Sequence, residues 1–377
     1  MGSARTIALL GGGQLGRMFL ENALRYNVTV HVLDPDPNAP CAGIAHRSVV
    51  GDFADERTVI DFARGADVIG IEIEHVSVEA LEALKRMGKT VIPDPDVLRT
   101  IKDKGLQKEC YRKHGIPSAP YALVNNRQEM HARFSSLAPA FLKTRSGGYD
   151  GKGVMAIRDA ADIERAFDGP CLLEKGVDIA MELAVLVLRS SDGEMITYDP
   201  VEMVFDPRFN LVDHLRAPAR IDAGLTKEAR QLATRVAEAF GAPGLYAVEL
   251  FLSTGNELLV NETAPRAHNS GHHTIEACAS SQFDQLLRLY MGWPLGDTAL
   301  RSPAAMINLV GEGGEGEPRL TGLPELLEMK GSFPHMYGKA RTRTGRKMGH
   351  VTVTAEDHDG LDRAIALTRA HCKVVPA

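Results

Sequence analysis

Cysteine pairs, positive charge and long apolar runs are what this 377-residue chain has little of. Its five cysteines, Cys41, Cys110, Cys171, Cys278 and Cys372, are widely scattered and contain no C-x-x-C pair. That argues against a disulfide framework and against a cysteine zinc site, and leaves reduced, buried small hydrophobes. A net charge of −6 speaks against nucleic acid or an anionic membrane as the main partner, because the average surface would repel either. No apolar run approaches the ~20 residues that span a bilayer, and the N-terminus lacks a charged segment leading into a hydrophobic core and cleavage site. The cytoplasm is the expected compartment.

What is present is 44% apolar residues, ample for packed cores in two or three domains. From Thr6 to Pro93, strand-like TIALL, VTVHVLD, DVIGIEIE and TVIP alternate with helix-like segments, which implies a parallel sheet with crossovers. A charged helix then runs through LRTIKDKGLQKECYRKH to Gly115-Ile116-Pro117. Beyond it the texture changes to short strands joined by glycine turns, which suggests an antiparallel sheet. One amphipathic helix follows, with Leu232, Val236, Ala239 and Phe240 on its stripe, before the strands LYAVELFLS and ELLVNETAP. EGGEGEP, in the last segment, reads as a surface loop.

Five places could carry chemistry. Gly11, Gly13 and Gly16 have G-x-G-x-x-G spacing between a strand and a helix, and Asp34 closes the next strand, so a dinucleotide site and a structural turn are both open. KTRSGGYDGKG, Lys143 to Gly153, lies between strands, which excludes a Walker P-loop but leaves a glycine hairpin able to fold over a polyphosphate. If Ser253 pairs with Leu258, Glu249 and Glu262 face each other across a hairpin. Like charges there are destabilising unless a magnesium ion bridges them, and Asn261 would add a neutral ligand. After them, Arg266, His268, Asn269, Ser270, His272 and His273 crowd one turn and suit a small oxyanion better than zinc. Finally, Lys339 to Lys347 holds five Lys or Arg in nine residues, a local phosphate pocket or a solvated strand edge.

In order, GGGQLGRM, KTRSGGYDGKG, NETAPRAHNSGHHTIEACASSQFDQLLR and YGKARTRTGRKMGH resemble the ATP-grasp superfamily, and within it the ligases that carboxylate an aminoimidazole ribonucleotide. The resemblance covers nearly the whole chain. It implies an N-terminal doubly wound parallel-sheet domain over 1–95, a central two-lobed ATP-grasp fold over 96–300 and a small C-terminal domain over 301–377. It also implies ATP and magnesium, bicarbonate and aminoimidazole ribonucleotide as substrates, a homodimer, and handover of a labile product to a separate mutase in purine synthesis. No nicotinamide is implied.

Carried over position by position, the resemblance puts Lys104, Lys143, Gly147, Gly148, Gly151, Lys152 and Gly153 at ATP phosphates. It puts Glu174, Lys175 and Val177 at an adenine hinge, Glu182 at the ribose, and Asn261 with Glu262 beside the nucleotide. Glu249 and Glu262 match magnesium ligands. Arg266, His268 and Lys339 match positions around bicarbonate and carboxyphosphate. Gln14, Leu15, Glu74, Tyr149, Asp150, Asn269, Lys339 and Arg346 fall on the ribonucleotide side, with Asp150 accepting the amine proton. Two departures stand out: Lys104 replaces an expected Arg, and VEMVFDP puts Phe205 where V-E-N-x-H would carry a histidine. Another ATP-grasp ligase or a formyltransferase, a nicotinamide oxidoreductase and a silent nucleotide-binding regulator are the rival readings.

Overall fold

The structure, a computed structural model, describes residues 5–147, 153–209 and 211–377. The first sheet is parallel, with strands in the order Arg47–Val50, Thr29–Asp34, Thr6–Leu10, Val68–Ile71, Thr90–Ile92. Chain order reverses around Thr6–Leu10, so a crevice opens beyond its C-terminal end, where ligands of such sheets bind. The expected strand DVIGIEIE is shorter than its sequence suggests. It ends at Ile71, which frees Glu72 and Glu74 to turn into that crevice.

The charged run after Asp94 is two helices, Pro95–Lys102 and Lys104–Lys113, where the sequence reads as one. Asp103 makes the break. Its extended backbone lets the side chain accept from the Gly105 and Leu106 amides, an N-cap placed inside the run. The same carboxylate takes Nε and Nη2 of Arg145 at 2.9 and 2.6 Å, fastening this helix to the start of the glycine hairpin.

A four-stranded antiparallel lobe follows, in the order Tyr121–Val124, Cys171–Lys175, Ala140–Thr144, Val154–Ile157. The larger sheet has nine strands among the described residues and is antiparallel. Its strand Ile179–Arg189 is apolar on both faces, as period-two geometry requires of a strand covered on two sides. Val185 and Val187 pack with Tyr246 and Val248 under Leu232, Ala233 and Val236 of helix Ala223–Phe240. Leu186 and Leu188 join Phe283, Leu287 and Tyr290 of helix Gln282–Met291, and through them Phe19 of the first domain. The Phe19 and Tyr290 rings meet edge to face at 5.4 Å.

The C-terminal segment adds its strands to this sheet. Ala304–Val310 pairs with Leu211–Ala217, then Lys347–Thr354 and Ser332–Met336 follow, with helix His358–His371 packed against them. Lys339 is thereby carried back to the first domain, where it meets Gln14. Among the described residues no helix is long and apolar enough to cross a membrane.

Candidate active site

The glycine turn already holds two anions of its own. The amide of Gly12 donates to Asp34 Oδ2 at 2.7 Å, and those of Gly13 and Leu15 donate to the two oxygens of Glu72 at 2.9 and 3.1 Å. The positive end of helix Gln14–Arg25 is filled by side chains, at the place where a pyrophosphate would sit in a dinucleotide site. Burial pushes the Glu72 carboxyl up despite these amides. Gln14 points elsewhere: its Oε1 accepts from Lys339 Nζ at 2.7 Å, across 325 residues of sequence. Leu15 packs against the apolar core.

Glu249 and Glu262 are cross-strand partners on Gly244–Ser253 and Leu258–Ala264, as expected, but by a different register. Next to the turn Leu252, rather than Ser253, faces Leu258. A bulge between Glu249 and Leu250 restores the offset, with Asn261 as the extra residue. The bulge turns Asn261 toward the same groups: its Oδ1 accepts from Lys143 at 3.2 Å and its amide nitrogen reaches Glu249 at 3.5 Å. Glu262 is ion-paired with Lys104. Lys104 holds the Glu262 carboxyl down, whereas burial and the Glu262 charge push Glu249 up. Glu182 shares the face of Ala184 and Glu249, and burial lifts its carboxyl to about 7.

Glu174 lies in a row of three charges. Its carboxylate meets Lys143 at 2.6 Å and is ion-paired with Lys108, so its side chain serves the two lysines. Burial opposes ionisation there, but the two ammonium groups hold the carboxyl below its ordinary range. Lys175 is exposed and Val177 half-buried. Phe141, 43% exposed, is two residues from Lys143 on the same face and leaves an apolar surface beside Glu174 and Gly176.

Arg266 reaches Glu74 at 3.1 Å, and His268 Nε2 lies 3.6 Å from Glu249. Lys339 also donates to the Lys347 carbonyl at 2.6 Å and sits 5.5 Å from the Tyr337 ring centre. Asn269, expected on the substrate side, is engaged within the protein. It is buried and exchanges hydrogen bonds with Asn308 at 2.9 and 3.0 Å. Arg346 donates to the Arg341 carbonyl at 2.7 Å. Gly147 and Gly153, both with positive φ, flank the hairpin tip, and Gly148, Tyr149, Asp150, Gly151 and Lys152 fall outside the described residues. Phe205 packs with the apolar cluster of Val201, Met203 and Leu215.

Sequence reasoning passes over Lys108 and Glu72. Lys108 is hidden in a helix whose composition reads as solvated, and Glu72 is one of two alternating acids of which only Glu74 looks functional. Among the described residues no group of three or more His, Cys, Asp or Glu could hold a metal ion. Two opposed carboxylates and an amide oxygen nevertheless fit magnesium, which binds through one or two carboxylates and completes its shell with phosphate oxygens and water.

Three family models match in succession: a ribonucleotide synthetase preATP-grasp domain over residues 4–102, an ATP-grasp domain over 109–283, and a phosphoribosylaminoimidazole carboxylase C-terminal domain over 304–364. Together with the carboxylate hairpin and its lysines, they define an ATP-grasp ligase. The N5-carboxyaminoimidazole ribonucleotide synthase of Bacillus subtilis is 37% identical over 360 residues, 94% of this chain and 92% of that protein. The crystal structure of the Thermotoga maritima synthetase of the same name superposes with a TM-score of 0.91 at 41% identity, covering 99% of this chain and 100% of that one. An Aspergillus clavatus synthase in complex with ADP and 5-aminoimidazole ribonucleotide gives 0.89 at 34% identity, covering 98% and 99%. The chain belongs to the N5-carboxyaminoimidazole ribonucleotide synthase family.

Proposed function

We propose that this enzyme carboxylates the exocyclic amine of 5-aminoimidazole ribonucleotide with bicarbonate and ATP, releasing ADP and phosphate, in purine synthesis. The observation that carries the reading is the Glu249 and Glu262 pair set among Lys104, Lys143 and Asn261. Lys104 and Lys143 hold the ATP phosphates, the hairpin from Gly147 to Gly153 covers them, the Glu174 to Val177 segment meets adenine, and Glu182 meets the ribose. Glu249 and Glu262 would hold magnesium, which neutralises charge developing on the transferred phosphoryl group.

Bicarbonate is a poor electrophile. An oxygen of bicarbonate attacks the γ-phosphorus, ADP leaves, and the resulting carboxyphosphate breaks down to carbon dioxide and phosphate. The substrate amine then adds to carbon dioxide and gives its proton to Asp150, leaving the carbamate. Arg266, His268 and Lys339 supply fixed donors to the oxyanions of these steps. Glu74, Gln14, Tyr149 and Arg346 are assigned to the ribonucleotide, whose arrival competes with Gln14 for Lys339. Closure keeps water from carboxyphosphate.

The test is turnover with bicarbonate labelled by carbon-13 and oxygen-18. One labelled oxygen should appear in phosphate and the carbon in an acid-labile carbamate; phosphate free of the label would overturn the carboxyphosphate route. The same reading makes the enzyme a cytoplasmic homodimer, which sedimentation velocity checks. The lability of a carbamate favours its direct handover to a mutase.

A further inference from the structure

Lys108 sits one turn beyond Lys104 in helix Lys104–Lys113, yet it is only 3% exposed. Lysine is almost never buried to this extent without a partner. Its ammonium is ion-paired with Glu174 and donates to the Val260 carbonyl at 3.3 Å, next to the bulge residue Asn261. Lys108, Glu174 and Lys143 form a row with side-chain exposures of 3, 4 and 13%, so only the Lys143 end approaches the cleft. Two cations share one carboxylate, and the row carries a net positive charge.

Remove the inner cation, and Glu174 and Lys143 become a closed neutral pair. At low local dielectric such a pair attracts a phosphate far less than a cation does, and Lys143 gives up its carboxylate only at a cost. We propose that Lys108 is a positioning residue for nucleotide binding: it takes up the charge of Glu174, so that Lys143, aimed at Asn261, keeps a net positive charge for ATP phosphate. The role rests on the nucleotide reading given above and adds a residue that does not itself touch the nucleotide.

The experiment compares Lys108→Met, Glu174→Gln and the double variant with wild type. Calorimetry with Mg-ADP gives the dissociation constant, and phosphate release gives KM for ATP and kcat. Lys108→Met should weaken nucleotide binding by about tenfold or more with a much smaller change in kcat, as loss of one buried charge partner does. In the Glu174→Gln background the same substitution should cost less than about threefold, because no charge is left to balance.

A Lys108→Met enzyme that binds Mg-ADP within about twofold of wild type contradicts the proposal. So does a double variant whose loss is the product of the two single losses, which is what a packing role gives. Should Lys108→Met fail to fold, the comparison of Glu174→Gln with the double variant decides alone, since neutral replacement of a buried pair is tolerated far better than breaking it. The binding constant needs no acceptor. An enzyme that shows this pattern but ignores aminoimidazole ribonucleotide overturns the substrate assignment only; a wild type that binds no Mg-ADP overturns both.

Discussion

The carboxylate of Glu72 occupies the space that a side chain at residue 13 would need: a Cβ on Gly13 would lie 2.5 Å from Glu72 Oε1, while the Gly13 amide donates to the other oxygen, Oε2. Gly13→Ala must therefore displace a half-buried carboxylate from the helix end. We expect a loss of about 1–3 kcal/mol in denaturant unfolding. Unfolding at wild-type denaturant concentration would refute this packing. Because the amides are taken, titration with NADH should give no difference spectrum, in contrast to a true dinucleotide turn.

Asp103 both caps a helix and anchors Arg145, whose carbonyl accepts from the Lys104 amide at 2.8 Å. Asp103→Ala should cost about 1–2 kcal/mol, the usual worth of a cap, and raise KM for ATP because Lys104 and the hairpin base lose their anchor. Asp103→Asn keeps an acceptor for the cap and should be milder in stability. Equal effects of the two variants on unfolding would contradict the capping role.

The resemblance puts Asn269 on the ribonucleotide side, and its hydrogen bonds offer a structural role instead. Its amide is committed to Asn308, so Asn269→Ala leaves a buried partner unsatisfied and should cost about 1–3 kcal/mol. KM for the ribonucleotide should stay within about threefold of wild type, since an effect of this kind acts on folding rather than on binding. A large KM change with unchanged stability would return Asn269 to the substrate.

Buried histidines set the acid limit. Burial lowers His273 to about 4, and burial with the neighbouring Arg216 lowers His214 to about 4, while His272 and His350 are held well below 6.5. A base whose folded pKa is depressed takes up protons more readily when unfolded, so the histidines' contribution to stability should fall as pH drops from about 6.5 toward 4, against the opposite trend of Glu182 and Glu249, whose carboxyls are raised by burial. Glu174, depressed for a carboxyl, keeps its contribution above its unfolded value and loses it only as pH falls further, through its folded value. Thermal melts across this range check the order, and His273→Asn should flatten the upper part of the slope. A pH profile of Tm whose shape between about pH 6.5 and 5 is unchanged by His273→Asn would contradict it.

Much of this was legible in the sequence because it depends on local pattern. Strand alternation marked the parallel sheet, and two acids flanking a short turn marked the carboxylate hairpin. The Glu249 and Glu262 pairing was right although the register next to the turn was off by one, since a single bulged residue compensates. Burial within a charged helix was not legible: the spacing of Lys104 and Lys108 places both on one face, and only packing against Val260 and Glu174 tells which is sealed in. Nor could the break at Asp103 be read from a run rich in helix formers, because the decisive partner, Arg145, lies 42 residues away.

On the proposed function, the opposed glutamates serve an ATP reaction whose acceptor is the ribonucleotide. Phosphate release from Mg-ATP and bicarbonate, with and without aminoimidazole ribonucleotide, on wild type and on Glu262→Gln, tests it most directly. We expect strong stimulation by the ribonucleotide in wild type and a loss of about a hundredfold or more in the variant, the scale of removing a group that stabilises transition-state charge. Wild-type release that is indifferent to the ribonucleotide, or a variant as active as wild type, would contradict it.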